Sequence, residues 1–159
     1  MKVWDEYINF FTEEKLKSLY LEHVVLSSAT GIDNMSHKLL WPILDKQLQI
    51  IKRKVIAGNY NFTKYKLKLI SKGRSKSPRE ISIPTIRDKI TLRALCEFLG
   101  KQFSDDLNFI IPQVFIKKIK KEMDENKYEN FIKLDVENFY PSIKHEKLIS
   151  SLKRRIRDI

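Results

Sequence analysis

The sequence predicts an α+β fold, and three observations carry that expectation. Apolar residues recur at helical spacing in several stretches. Two short segments, on either side of a basic turn, alternate with a period of two. A third apolar segment, 131–136, alternates again just before an aromatic pair.

In chain order, residues up to about Leu26 read as helical, with Trp4, Tyr7, Ile8 and Phe11 at helix spacing, then Leu16, Leu19 and Tyr20. Ser27 to Ser36 is a polar loop. A helix follows with Leu40, Leu44, Leu48, Ile51 and Val55 on one face, and Gly58 is its natural stop. Tyr65–Leu69 and Glu80–Ile83 alternate as strands, joined by a turn rich in Ser, Lys and Gly, so a hairpin with a long basic loop is expected. Pro84-Thr85 opens a helix carrying Ile86, Ile90, Leu92, Leu95, Phe98 and Leu99, with Gly100 expected to close it. Val114–Met123 reads as a helix with a Lys-rich outer face. Phe131–Val136 reads as a strand, with Ile132, Leu134 and Val136 on one face and Lys133 and Asp135 on the other. Tyr140-Pro141-Ser142-Ile143 turns the chain into a last helix with Leu148, Ile149, Leu152 and Ile156.

At 42% hydrophobic residues the chain can build a core, which argues against wholesale disorder. The single cysteine, Cys96, excludes an internal disulfide framework, and His23, His37 and His145 are too scattered for zinc spacing. With no signal-like start and no run of membrane-spanning length, the expected setting is reducing and cytoplasmic, without a membrane partner. The net charge of +11 points to a polyanion. The excess is concentrated, with ten Lys or Arg from Lys64 to Arg93 against Glu80 and Asp88 alone.

Asp135 is the most informative residue. At the end of an apolar strand, on the face away from buried side chains, a carboxylate can hold a divalent metal, or else cap the following turn. Its surroundings favour the first. Phe131-Ile132-Lys133-Leu134-Asp135-Val136-Glu137-Asn138-Phe139-Tyr140-Pro141-Ser142-Ile143 resembles the first catalytic motif of bacterial reverse transcriptases, such as those of retrons, group II introns and phage-defence systems. Upstream, Thr30-Gly31-Ile32-Asp33-Asn34 is similar to the short Gly-x-Asp motif of those enzymes. Lys72, Gly73, Arg79 and Ile83-Pro84 resemble their fingers hairpin, and Asp88-Lys89 stands where an Asp-Arg pair is usual.

The resemblance implies part of a right-hand polymerase: a helical N-terminal extension over 1–30, a fingers-like region over 31–127 and the start of a palm over 128–159. It implies an RNA-directed DNA polymerase (nucleotidyltransferase) that takes an RNA template, a DNA primer and dNTPs with Mg²⁺, with antiviral defence among its roles. Asp135 would ligate the metals with help from the backbone carbonyl of Val136. Tyr140 would lie under the incoming sugar and exclude a 2′-hydroxyl, with an ordinary core Tyr as the alternative, and Phe139 would serve packing. Lys72 and Arg79 would clamp the triphosphate, since Arg gives forked contacts to phosphate and Lys a compact charge. Lys68, Arg74 and Lys76 compete with Lys72 for that role, and alternation places Arg79 on the side of Ile81 and Ile83. Lys64, Lys66, Lys68, Arg74, Lys76, Arg87 and Lys89 would track nucleic-acid phosphates.

Two-metal polymerisation takes more than one carboxylate. The family supplies the others from an aromatic-x-Asp-Asp turn after the first Asp, and none stands between Asp135 and Ile159. Phe103-Ser104-Asp105-Asp106 fits on paper but precedes Asp135, and reads as a solvated helix-to-loop junction; Glu137 is not counted as a ligand. The chain by itself is therefore not expected to polymerise DNA. The rest of the palm and a thumb would come from a longer parent or a second polypeptide. A non-catalytic basic nucleic-acid-binding module is the main alternative. A basic protein that binds other proteins is another, and a defence polymerase working without a template or from a protein primer is a third.

Overall fold

The structure, a computed structural model, describes residues 3–74, 77–107, 110–125, 128–130 and 132–156. It is mixed α and β, mostly helical, with one two-stranded antiparallel sheet among the described residues. Among the described residues no helix is long and apolar enough to cross a membrane. The chain divides into two compact units, 1–101 and 102–157.

In the first unit the opening helical stretch is two helices, α1 (Val3–Asn9) and α2 (Glu13–Leu19), followed by a single wide turn over Tyr20–Val24. The break falls at Thr12, whose hydroxyl accepts the Lys15 N–H at 3.3 Å and caps α2. After the loop, α3 (His37–Leu40) leads through a tight turn at Trp41–Ile43 into α4 (Leu44–Ile56). Leu44, Leu48, Ile51 and Val55 are buried at helix spacing, as the sequence predicts. The chain leaves α4 at Gly58, where a φ of 65° suits glycine.

Strands β1 (Lys66–Ile70) and β2 (Arg79–Ile83) form the expected hairpin, paired from Lys66↔Ile83 to Ile70↔Arg79. Helix α5 (Ile86–Gln102) follows and runs past Gly100 instead of stopping there. That glycine keeps φ out of the left-handed region and has open space beside it, so it costs only propensity. Ile86, Ile90 and Ala94 of α5 share one core with Phe11, Leu16, Leu19 and Tyr20 and with the α4 face. The segment expected as N-terminal extension and the part of the fingers-like region up to α5 thus share a single core, while 102–127 belong to the second unit.

The second unit contains α6 (Pro112–Asp124), the short α7 (Phe139–Ser142) and α8 (His145–Arg155). The described part of the strand expected at 131–136, residues 132–136, is not a strand. Phe131 lies outside the described residues, and 132–136 pair with no other strand. A strand exists only in a ladder that satisfies its backbone groups. Without one, Ile132 and Leu134 stand 85% and 88% exposed, so the predicted apolar face is not buried. Phe103–Asp106 is a turn directly after α5, with Asp106 and Leu107 N–H groups donating to the Phe103 carbonyl, and Asp105 takes an ion pair from Arg155 at 3.1 Å.

Candidate nucleic-acid interface

The hairpin's register decides which side chains stand together. Directly opposed residues in an antiparallel pair point to the same face. Lys66, Lys68 and Arg79 therefore share a face with Ile70, Ile81 and Ile83, while Leu67, Leu69, Glu80 and Ser82 occupy the other. The alternation read from sequence, Arg79 on the side of Ile81 and Ile83, is the alternation observed. All hairpin residues but Ile83 are exposed. A two-stranded sheet with both faces in water is marginal by itself, so what fixes it must lie at its root.

Three contacts do so. The Asp88 carboxylate, fully buried in the first turn of α5, accepts the Tyr60 hydroxyl at 2.7 Å and the Thr63 N–H at 2.9 Å. Those residues lie on the segment leading into β1. The Asp88 N–H donates in turn to the Thr85 hydroxyl at 3.2 Å, the N-cap of α5. Burial, with Asp88 beside it, pushes the Tyr60 phenol up to about 12. Second, Gly31 lies against the outgoing end of the hairpin, where a Cβ would stand 2.6 Å from Thr85 Cα. Third, Lys66 Nζ donates to Asn34 Oδ1 at 2.8 Å.

The other cations named from sequence fall into distinct surroundings. Lys64, Lys72 and Arg74 are exposed, and Lys72 precedes the turn at Gly73, whose φ is 101°. Lys76 lies outside the described residues. Lys89 donates to the Ala29 carbonyl at 2.5 Å and the Ser27 hydroxyl at 3.4 Å, so it ties the loop to α5. Burial pulls its ammonium pKa down, with Asp33 opposing. Arg87 is half-buried, and no carboxylate among the described residues pairs with it; its Nε is buried without a hydrogen-bond partner.

In the second unit Asp135 is exposed, and its Oδ1 accepts the Val136 N–H at 3.0 Å. Tyr140 is 82% exposed. Phe139, expected in packing, is itself exposed and stands edge-on to Tyr140 at 5.2 Å between centroids. Among the described residues no three His, Cys, Asp or Glu side chains gather where a metal ion could sit. One carboxylate does not make a magnesium site by itself.

The sequence reading missed the clamp at Asp88, the contact behind Gly31 and the bond from Asn34. Thr85-Ile86-Arg87-Asp88 carried a signal for the first, since Thr-x-x-Asp is a helix-start pattern. No protein-family model matches the chain, and no curated protein matches it.

Proposed function

We propose that this chain is the fingers side and first palm segment of a reverse-transcriptase-type polymerase, and that its basic hairpin grips the template–primer. One observation carries the reading: Lys68 and Arg79 share an exposed face of a hairpin clamped at its root, with Lys66 beside them. Exposed cations on a ribbon fixed at its root, Arg79 forked and Lys68 compact, suit a phosphate backbone. Lys72 at the loop would then meet a dNTP triphosphate. Asp135 and Tyr140 would meet metal and sugar once further carboxylates, from elsewhere in a longer chain or from a second polypeptide, stand beside them.

Under this reading a labelled single-stranded RNA binds with an affinity that falls steeply as salt rises. Changing Lys68 and Arg79 together to alanine flattens the slope of log affinity against log salt by about 1 to 2. An unchanged slope with unchanged affinity contradicts the assignment.

The second reading, a basic nucleic-acid-binding module without catalysis, draws support from the single carboxylate at 135. Template–primer binding that responds to Mg²⁺ in the wild type but not in Asp135→Asn favours the polymerase. Metal-independent binding in both, once a longer chain or a second polypeptide has supplied the further carboxylates, favours the module.

A further inference from the structure

Beside the root of the hairpin the first unit carries an aromatic cleft. Tyr60 and Phe62, on the segment between α4 and β1, stand edge to face with centroids 5.1 Å apart and planes at 69°. With Tyr7 of α1 and Thr91 and Leu95 of α5 they line a space of about 190 Å³. Phe62 is 46% exposed, so the cleft opens to solvent. Sites for drug-sized ligands run to about 300–1,000 Å³. At that size this one has room for a single planar ring system, with any sugar and phosphate outside.

The cleft's polar groups are largely spoken for. The Tyr60 hydroxyl is held by Asp88, and the Thr91 hydroxyl donates to the Arg87 carbonyl at 3.1 Å. What the walls offer is ring surface, which stacks on any base and selects none. Arg87 lies one helical turn before Thr91, and its charge bears on the Tyr60 phenol. A half-buried guanidinium that pairs with no carboxylate among the described residues is suited to a phosphate. Phe62 precedes Lys66 by four residues, at most about 14 Å of extended chain. One bound strand can therefore engage the cleft and the cationic face together.

We infer that this cleft takes one unstacked base of a single-stranded nucleic acid, with the ring against Phe62 and Tyr60 and an adjoining phosphate on Arg87. The inference rests on the nucleic-acid reading above and adds a base site to it. A short thymidine oligomer carrying one 2-aminopurine tests it with the full chain, alongside the same oligomer with an abasic position there. Stacking predicts that 2-aminopurine fluorescence is quenched on binding and that the abasic oligomer binds more weakly. Phe62→Ala is expected to relieve the quenching and weaken binding roughly 5- to 100-fold, with Phe62→Trp restoring both. Arg87→Ala weakens both oligomers, because the phosphate is common to them. If the wild type binds but fluorescence does not change, or if quenching survives Phe62→Ala, the base site is wrong and the hairpin reading stands. If the wild type binds neither oligomer at low salt, both fall.

Discussion

Asp88→Ala is expected to lower unfolding free energy by about 3 kcal/mol, because two hydrogen bonds to a buried carboxylate are lost and their half-buried donors are left without that acceptor. The Tyr60 hydroxyl and the Thr63 N–H both end on this one carboxylate, which has no exposure to water. Alanine leaves both donors without that acceptor. Asp88→Asn keeps one acceptor but turns an N–H₂ toward a donor, so it should fall between wild type and alanine. Tyr60→Phe removes one bond and is expected to cost about 1–2 kcal/mol. The two changes share a partner and should not add; a double-mutant cycle by urea denaturation reads the coupling directly. Full additivity would mean that the carboxylate and the phenol act independently. Because the clamp sits at the hairpin's root, Asp88→Asn should also raise amide exchange in 66–70 and 79–83 more than in α4.

Gly31→Ala is the second large effect, about 3 kcal/mol, the upper end of what overpacking costs. The added methyl carbon would meet Thr85 Cα at 2.6 Å, Thr85 N at 2.7 Å and Pro84 C at 3.0 Å. All three are backbone atoms, so no rotamer change relieves them. The cost is steric rather than torsional, since Gly31 is not among the positive-φ residues. By contrast Gly100→Ala, with open space beside it in the last turn of α5, should stabilise by a few tenths of a kcal/mol up to about 1. A thermal melt of the pair separates the two cases. Equal effects of either sign would contradict the close approach at position 31.

How far the sequence could be read follows from which forces each element depends on. The α4 face was legible because Leu44, Leu48, Ile51 and Val55 repeat at 3.6 residues and burial follows that period. The hairpin was legible because its alternation and turn residues are local, and its observed pairing places Arg79 on the expected side. The clamp was not, because it joins residues 25 and 28 positions apart through one carboxylate, and nothing in Asp88 itself announces burial. Ala94 and Thr91 were missed as core positions for a similar reason: α5 buries small and polar residues that periodicity of large apolar ones does not flag. The segment at 132–136 failed in the opposite way. Its alternation is strand-like, but a strand also needs a neighbour, and none of the described residues provides one. Cation positions were legible as a cluster but not by task. Lys89 is bound to a loop carbonyl, Lys66 to Asn34, and Lys68 and Arg79 face water.

The most direct test of the account is an NMR titration of the uniformly ¹⁵N-labelled chain with a single-stranded RNA at low salt. The account predicts that amide shifts concentrate in 66–70 and 79–83 and around Phe62 and Arg87, and fade as salt is raised. Shifts confined to α6 and α8, or a spectrum that does not change at saturating RNA, would contradict it.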